Sequence, residues 1–110
     1  VMLDKDYKII EELQKILNSR KSEMPENSYV SLLFKKGNSE INSKIIEEAN
    51  EYVEAVNSNS KSEIIHEAAD LWFHNLVSLT LNDIQVSDIL EELNRRFGVS
   101  GLEEKKSRDK

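Results

Sequence analysis

Turn-forming residues are scarce in this chain, with three glycines and one proline among 110 residues. Glycine supplies positive φ and proline interrupts hydrogen-bonded ladders, so their shortage favours long helices over a many-stranded β fold. Hydrophobic spacing agrees. Between Asp4 and Arg20, the residues Ile9, Ile10, Leu13, Ile16 and Leu17 fall on one helical face. Pro25 biases Met24 away from helix, so Lys21 to Asn27 reads as a loop. A short second helix, Ser28 to Lys36, is expected to bury Tyr29, Leu32 and Leu33 and to stop at Gly37 in a left-handed cap. A third begins between Ser39 and Ser43 and runs to about Val56, where a polar Asn-Ser-Asn-Ser stretch breaks it. Ser60 and Glu63 have capping-box spacing and open a fourth helix that reaches Leu81. A fifth runs from near Ser87 to Phe97 and ends at Gly98. The pattern predicts an all-α fold, a bundle of four to five helices forming one domain over residues 1–110. The charged tail at 103–110 has little to bury and reads as mobile.

Charge and composition narrow the function classes. A formal net charge of −6 argues against a nucleic-acid partner, because no excess of cation is present to displace phosphate counterions. The absence of cysteine removes disulfides and thiolate metal sites. No apolar stretch is long enough to span a bilayer and no signal peptide opens the chain, so no membrane association and a cytoplasmic location are expected.

The carboxylates carry the chemistry. In KIIEEANEYVEAV, the residues Lys44, Glu47, Glu48, Glu51 and Glu54 share one helical arc, opposite Ile45, Ala49, Tyr52, Val53 and Val56. Alone, this is an amphipathic helix with a solvated acidic face. The fourth helix differs: Glu63, Glu67, Asp70 and His74 form a narrow stripe on a helix that is otherwise apolar nearly all round. Such a helix is normally buried in its bundle, so Glu67 and Asp70 are expected to lie at least partly inside. A buried carboxylate must be protonated, paired or metal-bound, and no Lys or Arg lies between Ser62 and Leu81. Glu48 and Glu51 are three apart, as are Glu67 and Asp70, so each pair sits side by side on its helix. Two such pairs facing one another would converge four carboxylates on one point. Oxygen donors of this kind suit Mg²⁺ or Mn²⁺ better than zinc. A purely structural ion-pair network, using Lys44 or an arginine of the fifth helix, is the competing reading. His74 reads as a core hydrogen-bonding residue, and Trp72-Phe73 as core or subunit contact.

The arrangement Glu47-Glu48-x-x-Glu51 followed by Glu67-x-x-Asp70 resembles the signature of the MazG-type all-α nucleotide pyrophosphohydrolases. The segments SYVSLLFKKG, KIIEEANEYVEA, EAADLWFHNLVSL and SGLEEKKSR, in that order, resemble the phosphoribosyl-ATP pyrophosphohydrolase family over nearly the whole chain. That resemblance implies a Mg²⁺-dependent homodimer that splits phosphoribosyl-ATP into phosphoribosyl-AMP and pyrophosphate, the second step of histidine biosynthesis, in a stand-alone form without a fused cyclohydrolase domain. It puts Glu48, Glu51, Glu67 and Asp70 on the metal positions, and Glu47 on a motif position able to tune the site or orient water. Trp72-Phe73 departs from the aliphatic or Tyr residues more usual there. A polyanionic substrate also needs cations, for which Lys36, Lys44, Lys105 and Arg108 are the candidates, Lys44 foremost. Two alternatives stand beside this reading: a house-cleaning enzyme acting on ordinary nucleoside triphosphates, and a non-catalytic helical interaction module.

Overall fold

A computed structural model describes residues 4–98, which form five helices and, among the described residues, no strand. They are α1 (Asp4–Glu23), α2 (Tyr29–Lys36), α3 (Asn38–Ser58), α4 (Lys61–Leu81) and α5 (Val86–Phe97). The expected all-α bundle is therefore present, and no described helix is long and apolar enough to cross a membrane. The tail at 103–110 lies outside the described residues.

The main boundary difference lies at the end of α1, which continues through Glu23 instead of stopping near Arg20. It ends where Met24 turns to φ 48°, its N–H still bonded to the Arg20 carbonyl at 2.8 Å, with Pro25 next. The extra turn is held from a distance. Lys21 Nζ donates to the Thr80 and Leu81 carbonyls, both at 3.2 Å, and to Asp83 Oδ1 at 2.5 Å. A cation there completes the carbonyl end of α4, a role no local pattern around Lys21 reveals.

Ser28 caps α2 by accepting from the Ser31 N–H, and Gly37 closes it with φ 84° and an N–H bond to Leu33. The buried face of α2 differs from the expectation. Ser31, Leu33 and Phe34 are buried, whereas Tyr29 and Leu32 are half exposed. Packing of α2 against both α1 and α3 selects the Leu33–Phe34 edge and leaves Leu32 on the outside. Helix α3 starts at Asn38, just before the expected range, and closes on Asn59 in the left-handed conformation. Ser60 caps α4 as its spacing predicts, accepting from the Glu63 N–H, while the Glu63 carboxylate turns to the Ser58 hydroxyl.

Leu17, Leu33, Phe34, Ile41 and Val77 form the core, with Leu13, Val30, Ile45, Phe73 and Leu76 packed around it. The most extensive packing is between α3 and α4, the two longest helices. Buried Gln14 fixes the turn into α5, donating to the Ile84 carbonyl at 3.1 Å and accepting the Val86 N–H at 2.6 Å. Burial of α4 on all sides does not occur within one chain: Ile65 and Trp72 are 60% and 64% exposed. Too few helices surround α4 to cover its back. Ile46 and Val53 on α3 and Leu90, Leu93 and Phe97 on α5 are exposed as well. Uncovered apolar area on this scale is characteristic of a surface that receives a partner.

Candidate active site

Because α3 and α4 pack along their length, their acidic stripes meet. Glu48 is buried, Glu51, Glu67 and Asp70 are partly buried, and Glu47 is exposed. Carboxylate oxygens of Glu48, Glu51 and Glu67 all lie within 4.8 Å of one another. A second group, His66, Glu67 and Asp70, meets the same limit, so Glu67 joins the two. The four carboxylates picked out by their three-residue spacing thus occupy one continuous cluster. His66 is an addition: its Nε2 lies 3.4 Å from Asp70 Oδ2, one helical turn away. The i, i+4 spacing of His66 and Asp70 was the available signal for it.

The cluster is short of positive charge. Burial, then the Glu51 carboxylate and more weakly Asp70, hold the Glu48 carboxyl above its usual range, with His74 opposing. Burial, then proton sharing with Glu51 and its charge, do the same to Glu67, with His66 opposing. One oxygen on each of Glu48 and Glu67 is buried and has no hydrogen-bond partner. Buried acceptors without donors are uncommon and costly. An all-oxygen donor set with unpartnered buried oxygens and an imidazole at its edge fits a hard divalent cation.

Of the cations, Lys44 stands nearest, with Nζ 3.6 Å from Glu47 Oε2. Glu47 first, and then Tyr29, hold its ammonium above the usual lysine range. Lys36 is exposed at the end of α2 and makes no ion pair with the cluster among the described residues. Lys105 and Arg108 lie outside the described residues. Arg95 and Arg96 both pair with Glu92, and those contacts, Arg95 first, pull the Glu92 carboxyl down to about 2.

Beneath the carboxylates runs a hydrogen-bond chain that sequence reasoning foresaw only in part. His74 is buried, as expected of a core histidine. Its Nδ1 lies 2.8 Å from the Asp70 carbonyl, which can only accept, so Nδ1 carries the proton. Nε2 pairs with the Tyr29 hydroxyl at 3.0 Å. Phe73 and Tyr29 meet the imidazole edge-on, at 5.3 and 6.1 Å between ring centres. Tyr29, expected in the core, instead links α2 to the acidic stripe of α4. Burial, opposed by Lys44 and reinforced by Glu48, holds its hydroxyl above the usual tyrosine range, so it keeps its proton.

Known proteins resemble this chain in sequence. The family model described as phosphoribosyl-ATP pyrophosphohydrolase matches residues 10–97. A phosphoribosyl-ATP pyrophosphatase of Vesicomyosocius okutanii is 50% identical over 92% of this chain and 96% of its own length. One from Methylococcus capsulatus is 47% identical, over 91% of this chain and 95% of its own. One from Neisseria meningitidis serogroup C is 43% identical, over 91% and 94%.

Proposed function

Since the chain belongs to the phosphoribosyl-ATP pyrophosphohydrolase family, we propose that it hydrolyses phosphoribosyl-ATP to phosphoribosyl-AMP and pyrophosphate, the second step of histidine biosynthesis, as a cytoplasmic enzyme. The observation that carries the chemistry is the four-carboxylate cluster with two buried, unpartnered oxygens on Glu48 and Glu67. Glu48, Glu51, Glu67 and Asp70 would hold Mg²⁺, with Mn²⁺ as the alternative. When bound, such an ion draws charge from phosphate oxygens and makes water more acidic. The Lys44 ammonium offers positive charge to the substrate phosphates from the first turns of α3. Glu47, the most exposed member of the motif, orients the attacking water and takes its proton on a carboxylate oxygen. Lys36, Lys105 and Arg108 supply further charge to the polyanion. No covalent intermediate on the enzyme is required, because water attacks phosphorus directly.

The exposed apolar surface of α3, α4 and α5, with Trp72 and Phe97 on it, is assigned to a homodimer contact. Sedimentation of wild type beside Trp72→Glu tests it. The wild type should sediment as a dimer and the variant as a monomer, and a monomeric wild type would overturn the assignment.

Pyrophosphate release from phosphoribosyl-ATP, with and without Mg²⁺ and beside a panel of ordinary nucleoside triphosphates, tests the function. Metal-dependent release from phosphoribosyl-ATP alone is expected. Preference for an ordinary triphosphate would move the enzyme to house-cleaning hydrolysis, and no turnover of any nucleotide would leave an interaction module.

A further inference from the structure

Between α1 and the Met24–Ser28 connection lies an open cleft of about 760 Å³, within the range of ~300–1,000 Å³ common for small-molecule sites. Its walls differ from the carboxylate cluster. Tyr29 and Phe73 contribute aromatic surface, and Arg20, Glu26 and Asn27 stand among the lining residues. Arg20 is exposed and has no ion-pair partner among the described residues, whereas neighbouring Lys21 is committed to the end of α4. Tyr29 belongs to both places: it lines the cleft, and its hydroxyl is tied through His74 to the Asp70 carbonyl. The cleft is therefore linked through the Tyr29 side chain and His74 to the turn of α4 that carries Asp70, and the Tyr29 hydroxyl lies within electrostatic reach of Glu48.

The proposed substrate is longer than an ordinary nucleotide. Its reacting phosphates lie at one end, and a second phosphorylated ribose hangs from the base at the other. With the triphosphate at the carboxylates, the base and that second arm need a surface next to them. Resting on the function proposed above, we infer that the cleft is the subsite for the base and phosphoribosyl arm of phosphoribosyl-ATP, with Arg20 receiving the terminal phosphate. Each wall suits its part. Aromatic rings accept a base face, Glu26 and Asn27 offer acceptors to ribose hydroxyls, and a guanidinium matches a phosphate monoester in a fork of two hydrogen bonds. AMP and ATP lack the second arm, so Arg20 acts as a specificity-determining residue.

The test titrates phosphoribosyl-AMP and AMP into Mg²⁺-loaded wild type, Arg20→Gln and Arg20→Lys, followed by calorimetry. Wild type should bind phosphoribosyl-AMP more tightly than AMP. Arg20→Gln should weaken phosphoribosyl-AMP by about tenfold or more, the loss of a charge-assisted contact, and leave AMP unchanged, while Arg20→Lys keeps part of the difference. In turnover, the glutamine variant should raise KM for phosphoribosyl-ATP with little change in kcat. Unaltered phosphoribosyl-AMP binding by Arg20→Gln, or an equal loss for AMP, would overturn the subsite even with a fully active wild type. A wild type that releases no pyrophosphate from phosphoribosyl-ATP would remove the reading underneath, and the subsite with it.

Discussion

Replacing Glu48 by glutamine should stabilise the metal-free protein and abolish its response to Mg²⁺. Glu48 is 9% exposed, faces the carboxylates of Glu51 and Asp70, and leaves one buried oxygen without a partner. The amide keeps the shape, removes the charge and brings N–H donors to the Glu51 carboxylate. An unsatisfied buried group costs about 1–3 kcal/mol, so relief of roughly 1 kcal/mol is expected. In a domain of this size that corresponds to a rise of ~4–8 °C in Tm. Wild type should respond to metal in the opposite way. Mg²⁺ at ~100 times its Kd adds about 2.7 kcal/mol to the native state, lifting wild type above the variant. Thermal melts of both proteins at one fixed concentration, with chelator and with Mg²⁺, provide the assay. A variant that melts below wild type without metal, or that keeps the full Mg²⁺ shift, would refute the assignment of Glu48 as a charged ligand held at a cost.

Removing single ligands should separate chemistry from folding: Glu51→Gln and Asp70→Asn are expected to abolish pyrophosphate release while circular dichroism stays helical, and full activity in either would sink the metal assignment. Acidity gives an independent readout, because burial and the neighbouring Glu51 raise both Glu48 and Glu67 above their ordinary 4.5. Their stabilising contribution is complete below that ordinary value and is lost as pH rises through the raised ones. Metal-free melts should therefore improve as pH falls from neutral toward that ordinary value, whereas Mg²⁺-loaded protein should weaken over the same interval as protons displace the ion. Gln14→Leu should cost about 2–3 kcal/mol, because it strands the Ile84 carbonyl and the Val86 N–H. A lowered denaturation midpoint with unchanged activity per folded molecule is the expected outcome.

Much of this molecule is written locally. Spacing of apolar residues on each helix, together with Ser28, Gly37 and Ser60 at their ends, marks all five elements to within a few residues. The carboxylates are legible for the same reason. A three-residue interval fixes two side chains to one face, and the lack of any Lys or Arg from Ser62 to Leu81 leaves them wanting a partner. What escapes is information carried by distant residues. Lys21 extends α1 because carbonyls at the end of α4 receive its ammonium. Tyr29 leaves the core because His74, forty-five positions away, offers a hydrogen-bond partner. The exposure of Trp72 also escapes a reading of α4 alone, since an apolar face looks the same whether its cover comes from the same chain or another.

The way lysine and arginine are kept out of the site leaves a role that a bound cation would fill. Lys44 is already engaged by Glu47. Arg95 and Arg96 are drawn away to Glu92 on α5. His74, held between the Asp70 carbonyl and the Tyr29 hydroxyl, bridges α4 to α2 beside the cluster. Meanwhile the packing of α3 on α4, supported by Ile41, Ile45 and Val77, prevents Glu48 and Glu67 from separating into solvent. Like charges that can neither separate nor find a resident partner have two remedies, protons or a divalent ion. A divalent ion at the proposed site would relieve that repulsion at the point where the substrate phosphates would be met.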